Sequence, residues 1–323
     1  MVRSTSLLRK MASNGATAAF VLLCVMFVIY ALHEPSALSL FGIGNLLNNT
    51  VVLALAATGL TLVVLCGELD LCGPGVIAIA NVVVATTSND SFGSAGSLAA
   101  VLAIGAAVGF LNGFMVAYLN LQSLAVSLGT LIACQGIALL VLPAPGGEVT
   151  DAIVNTLTGD LYGIPAPAIV LALAGGLWLL LKHSRMGIWL YAVGTDQQAS
   201  LLSGLNVRST KLFAFISSGL CYALAGYVYC AEIGSGDPRI SDSFLLFMYA
   251  SVAIGGTSLN GGRGGVFGTL AGAGILTVLQ KMLFALGVAD FYTNIFNGAI
   301  MILAIFFGQF SAFLARVQRL RKA

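Results

Sequence analysis

Residues 46–66 read LLNNTVVLALAATGLTLVVLC, and no Asp, Glu, Lys, Arg or His interrupts them. A helix needs about 20 predominantly apolar residues to cross the hydrocarbon core of a bilayer. Runs of the same kind recur on both sides, with approximate limits 16–32, 46–66, 76–88, 97–119, 124–142, 164–182, 212–231, 244–256, 265–286 and 291–313. Little soluble sequence lies between them. Across 323 residues, 59% are hydrophobic and 8% charged, where a soluble domain carries about 25% charged residues. The runs are continuous in Leu, Ala, Val and Ile and do not alternate apolar with polar. That favours helices, which satisfy their backbone internally, over a β-barrel. The expected architecture is an all-α polytopic membrane protein, one transmembrane domain over residues 1–323 with about ten spans.

Charge placement orients it. With the amino terminus in the cytoplasm, that side receives Arg3, Arg9, Lys10, Lys182, Arg185, Arg208, Lys211, Arg263, Arg316, Arg319, Arg321 and Lys322, while the outer loops receive Arg239. This is the asymmetry of the positive-inside rule, and an even span count puts both termini inside. Lys281 falls near the outer end of the ninth span, where its stem can snorkel. The net charge of +2, spread along one membrane face, gives no support to nucleic-acid binding. The Arg316–Lys322 cluster suits anionic lipid. The first span, with Arg3, Arg9 and Lys10 ahead of it, reads as an uncleaved anchor rather than a secretory signal. Six cysteines form no CxxC pair and there are two histidines, so metal or disulfide roles find no pattern.

The spans at 76–88 and 244–256 are short and follow polar, Gly-rich breaks, GELDLCGPG at 67–75 and GGTSLNGGRGG at 255–265. Broken or re-entrant helices of that kind persist in a membrane only where protein or water covers the freed backbone. Gly67, Leu71 and Gly73 are spaced as Gly255, Leu259 and Gly261, which suggests a two-half pseudo-repeat. Gly255, Gly256, Gly261, Gly262 and Arg263 mark the second break as a structural turn. Ladders of glycine at intervals of four, Gly105, Gly109, Gly113 and Gly264, Gly268, Gly272, predict close helix contacts.

Glu68 and Asp70 are the acidic residues hardest to dismiss, because a carboxylate near the bilayer centre costs about 2.5–3.5 kcal/mol on insertion scales. They either line a pathway or lie solvated at the cytoplasmic edge. Asn48, Asn112 and Gln135 are further pathway candidates, and Asn45 and Asn49 are polar groups near the same span. Each could equally bond a neighbouring helix.

The longest cytoplasmic segment, about residues 183–211, is not a passive connector. Thr195 or Asp196 can cap a helix start, Ala199, Leu201, Leu202 and Leu205 give apolar positions at helical spacing, and Gly204 with Asn206 offers a stop. One short amphipathic helix is expected there, able to lie on the membrane or enter the groove of a soluble partner. No lysine follows a glycine, so the chain lacks a GxxxxGK[ST] phosphate loop; GxSxG and HExxH are absent as well. Nothing in the residues points to an enzyme, a catalytic residue or a bound metal.

Four ordered stretches resemble a known family. GELDLCGPG is similar to the GGIDLSVG signature of the permease subunits of ribose-type sugar ABC importers, and LNGFMVAYLNLQSLAVSLGTL to their VNGxLVxxxxIPPFIVTLGTM. SRMGIWLYAVGTDQQASLLSGLNV resembles the family's cytoplasmic loop, and AIGGTSLNGGRGGVFGTLAGAGI its glycine-rich segment. The resemblance implies a multi-pass protein of the bacterial inner membrane. Its implied partners are a second permease subunit, a cytoplasmic ABC ATPase that holds the ATP and Mg²⁺, and a periplasmic solute-binding protein. It further implies that Asp196, Gln197, Gln198, Ala199, Leu201, Leu202, Ser203, Gly204 and Leu205 couple to that ATPase, and that Thr130, at a motif position, lines the pathway. The cargo it implies is a monosaccharide or related polyol. Permeases for branched-chain amino acids or nucleosides are a nearer alternative, and a stand-alone ion-coupled carrier or channel a distant one. Glu68, Cys72, Gly73 and Pro74 depart from the signature, and Leu121–Leu124 lacks the family's paired prolines.

Overall fold

The computed structural model describes residues 15–89, 93–239 and 242–287, together with 295, 298 and 299. The expected tenth span and the basic residues near both ends lie outside the described residues, apart from those three positions. Helices α1 (Gly15–His33), α2 (Leu40–Leu65), α3 (Gly73–Thr87), α4 (Gly93–Ala117) and α5 (Ser123–Val141) follow in order. Next come α6 (Asp151–Thr158), a minimal hairpin of β1 (Asp160–Leu161) and β2 (Ile164–Pro165), α7 (Ala166–His183), α8 (Arg185–Thr195) and α9 (Gln197–Leu202). Helices α10 (Val207–Ile233), α11 (Asp242–Ile254) and α12 (Val266–Ala285) complete the described fold. Helices α1, α2, α4, α5, α7, α10 and α12 are long and apolar enough to cross a membrane, while α3 and α11 are the shorter apolar pair. The sequence reading of those two as short spans matches their lengths.

Local chemistry sets the helix ends. Ser39 begins α2 by accepting the Gly42 amide at 2.9 Å, and Ser184 begins α8 by accepting the Gly187 amide at 3.2 Å. Both satisfy amides that a helix start leaves without an internal acceptor.

The bundle is organised around α2, which is buried continuously from Thr50 to Leu65, and α10, which packs on α2, α3 and α4. By contrast α1 buries only Ala19 and leans on α12, leaving Phe20, Val25, Val28 and Leu32 exposed. Apolar area alone gives no advantage inside lipid, so helix contact there depends on close backbone approach. At the α4–α10 crossing a Cβ on Gly219 would strike the Gly105 carbonyl oxygen, and one on Gly109 would strike that of Phe215. The expected Gly105–Gly109 ladder is therefore a packing face.

Two expectations need correction. The segment at 183–211 forms two helices, α8 and α9, not one. Helix α8 escaped notice because its buried positions, Gly187, Leu190 and Val193, mix a glycine into the stripe. Lys281 does not simply reach for headgroups: its ammonium donates to Asn45 Oδ1 at 2.8 Å, joining α12 to α2.

Candidate functional site

The first glycine-rich break joins α2 to α3. Helix α2 ends at Leu65, Gly67 takes φ +80°, and Pro74 sits in the first turn of α3, where its missing N–H is not needed. Cys72 has no side-chain cap to offer, and Asp70 supplies the acceptor instead. Its Oδ1 receives the Cys72 amide at 3.0 Å, while Oδ2 receives the Ser218 hydroxyl at 3.1 Å and the Tyr222 hydroxyl at 3.3 Å. The Tyr249 hydroxyl donates to the Asp70 carbonyl at 3.1 Å. Asp70 is 0% exposed. The solvated-edge reading therefore fails for Asp70: its carboxyl is spent on holding the break against α10, and its backbone carbonyl on α11. Hydrocarbon cannot satisfy a backbone left bare at membrane depth, and here protein groups do so.

Glu68, two residues earlier, points elsewhere. Its Oε1 accepts from the Lys211 ammonium at 2.5 Å, and Lys211 also donates to Gln197 Oε1 at 3.1 Å. The two charged side chains are only 10% and 18% exposed. This is the one ion pair among the described residues.

The remaining polar candidates do not converge. Thr130 of α5 donates to Asn112 Oδ1 of α4 at 2.6 Å, and Asn112 is fully buried with its Nδ2 lacking a partner among the described residues. Gln135 lies half-buried further along α5. Asn48 donates to the Thr158 carbonyl at 3.2 Å, a bond between α2 and α6 that fits the helix-bonding alternative. Asn81 was overlooked: its Oδ1 accepts the Asp237 amide, fastening the loop after α10 to α3. Tyr222, Ser218 and Tyr249 were also overlooked. Their signal was hydroxyls inside otherwise apolar spans, with Ser218 and Tyr222 one turn apart on α10.

The second break, 255–265, packs against the first. Gly256, Gly261, Gly262 and Gly264 have φ of +78°, +85°, +69° and +111°, conformations that side chains resist, which explains the glycine density. The Ser258 amide bonds the Arg263 carbonyl at 3.0 Å, closing the turn, and the Gly262 amide bonds the Leu65 carbonyl at 3.1 Å. Helix α8 completes this knot. A Cβ on Gly194 would strike the Leu65 carbonyl, and one on Gly261 would lie 2.8 Å from Gly67 Cα. Tyr191 donates to the Gly264 carbonyl at 2.6 Å; burial pushes its hydroxyl above the ordinary phenol range, so it stays a donor.

On the other side of α8 lies α9. Asp196 caps it, accepting the Ala199 amide at 2.9 Å, and Gly204 follows it with φ +79°. Asn206 does not stop α9; it caps α10 by accepting the Ser209 amide at 3.0 Å. Ser200 is the buried residue of α9, whereas Leu202 is 91% and Leu201 55% exposed. Gln197, Gln198, Ala199 and Ser203 are exposed too, and Leu205 is half-buried. A groove of about 510 Å³ runs between α8 and α9, lined by Ile188, Tyr191, Thr195, Asp196, Ala199 and Leu205 among others. Outward leucines beside an apolar groove suit a protein surface better than water.

Comparison with known proteins agrees with this anatomy. The chain is 31% identical to the ribose import permease protein of Escherichia coli (strain K12) over 295 residues, covering 88% of this chain and 91% of that protein. It is 32% identical to the ribose import permease protein of Bacillus subtilis (strain 168), covering 88% and 90%. It is 29% identical to the galactose/methyl galactoside import permease protein of Salmonella typhimurium, covering 88% and 91%. No solved structure matches the chain. Residues 42–305 match the family described as branched-chain amino acid transport system / permease component, and this multi-pass membrane chain belongs to that family.

Proposed function

We propose that this chain is the membrane permease of a bacterial inner-membrane ABC importer for a monosaccharide or related polyol. It works by alternating access driven by ATP hydrolysis on a separate cytoplasmic subunit. Relatives named for ribose and galactose import support sugar over amino acids as cargo. The observation that carries the ATPase partnership is α9: a capped, six-residue helix that turns Leu201 and Leu202 outward beside an apolar groove. A helix presenting leucines this way is a plug for a groove on a soluble partner.

The same reading places both termini in the cytoplasm, counts ten spans in two related halves, and pairs the chain with a second permease. A periplasmic binding protein delivers the solute at the opposite face. Along the path, Asn112, Thr130 and Gln135 offer polar contacts, while Glu68 and Asp70 brace the break between α2 and α3. Weak contacts suffice, because a delivered solute must also leave. Proteoliposomes test this: uptake of ribose or galactose is expected only with the ATPase, ATP and binding protein all present, and uptake by the permease alone would overturn it.

A further inference from the structure

We infer that Lys211, clasped between Glu68 and Gln197, is the strut that carries displacement of α9 to the α2–α3 break. This rests on the reading of α9 as the ATPase-facing element. Glu68 belongs to the break, Gln197 is the first residue of α9, and Lys211 lies in the second turn of α10, so one ammonium joins two consecutive helices to a break far earlier in the chain.

The geometry makes the joint stiff. Lys211, Ser218 and Tyr222 are spaced so that they share one face of α10. Glu68 grips the first, and Asp70 grips the other two. The break is thereby fastened to α10 at two heights, one at the cytoplasmic end and one within the bundle. Further rigidity comes from the glycine knot, where Leu65, Gly67, Gly194 and Gly261 meet backbone to backbone and leave no slack for sliding. Gln197 is the link on the α9 side. It is neutral, exposed and held through a single 3.1 Å bond, so a partner pushing on Leu201 and Leu202 shifts it first.

Loss of the Gln197 contact leaves Lys211 with Glu68 as its sole partner, in a setting where both side chains are largely removed from water. An ion pair so placed is sensitive to its remaining hydrogen bonds. Lys211 and Glu68 are thus positioning residues: they transmit a movement and need touch no solute.

The test uses the full chain with its partner ATPase and binding protein in proteoliposomes, reading ATP hydrolysed and sugar taken up in the same vesicles. Lys211→Met and Glu68→Gln are expected to lower sugar moved per ATP by about tenfold or more, the loss of a charge-assisted contact. The reversed pair, Glu68→Lys with Lys211→Glu, is expected to recover most of that ratio, and either reversal alone to recover none. A merely structural role would lower hydrolysis and uptake in parallel with the thermal midpoint, leaving their ratio unchanged. Wild-type ratios in both single variants, or a reversed pair no better than its singles, would overturn the inference. If Lys211→Met fails to assemble, the reversed pair decides. Absence of ATP-dependent uptake by the unaltered chain is a different failure, which sinks the importer reading itself.

Discussion

The Asp70 carboxyl accepts the Cys72 amide at 3.0 Å and so caps, from two residues upstream, a helix whose own N-cap residue has no cap to give. The same carboxyl takes hydroxyl hydrogens from Ser218 and Tyr222 of α10. One side chain therefore both starts α3 and fixes where α3 stands.

Replacing Asp70 with Ala should orphan the buried Cys72 amide and the Tyr222 hydroxyl, while Ser218 keeps its 2.9 Å bond to the Phe215 carbonyl. Each such group costs about 1–3 kcal/mol, so a loss of about 2–6 kcal/mol is expected. Asp70→Asn keeps one acceptor oxygen and should fall between. Thermal unfolding followed in detergent orders the three proteins.

Leu202 is almost fully exposed and touches nothing the fold requires. Leu202→Glu should leave the thermal midpoint within about 0.5 kcal/mol of wild type. Burying that charge in an apolar groove should nonetheless weaken ATPase capture by at least about 1.4 kcal/mol, tenfold. Co-purification of the ATPase with each variant reads this directly; equal capture would remove α9 from the docking surface.

Glycine substitutions should divide by position. Gly219→Ala pushes a methyl into the Gly105 carbonyl and should cost about 1–3 kcal/mol. Gly129→Ala on α5 meets nothing within 4 Å and should be neutral or stabilise by up to about 1 kcal/mol through helix propensity. Unfolding midpoints of the pair are compared side by side, and a destabilised Gly129→Ala would contradict the α5 surface described.

Asn112→Ala removes the acceptor for Thr130, but the Thr130 hydroxyl keeps its 3.0 Å bond to the Val126 carbonyl. Stability should change little. If the free Nδ2 of Asn112 serves the solute, uptake KM should rise by up to about tenfold, the worth of one hydrogen bond, with binding-protein affinity untouched. An unchanged KM would assign Asn112 to packing.

Legibility in the sequence followed the range of the forces involved. The apolar runs at 46–66 and 212–231 lie within α2 and α10, give or take a turn, because a span is recognisable from consecutive residues alone. Asp196 as a cap, the turn at Gly204 and the close contacts of Gly105 and Gly109 were likewise readable, since each involves the local backbone or a repeated spacing. Helix α8 was missed because its buried face is short and contains glycine, a residue that argues against helix until Gly194 is seen against Leu65.

The amino-acid sequence alone determined that this chain is a helical membrane protein with two glycine-rich breaks, a structured segment at 183–211 and a permease's motifs. Hydrocarbon imposes one segment length and one way to satisfy a backbone, and both are written in consecutive residues. Only the tertiary structure decided that Asp70 braces α3 against α10, that Glu68 pairs with Lys211, and that the two breaks meet at Gly67 and Gly261. A polar group away from water must find whichever donor or acceptor the packing brings within about 3 Å, and for these residues that partner lies far along the chain, where no local pattern can point to it.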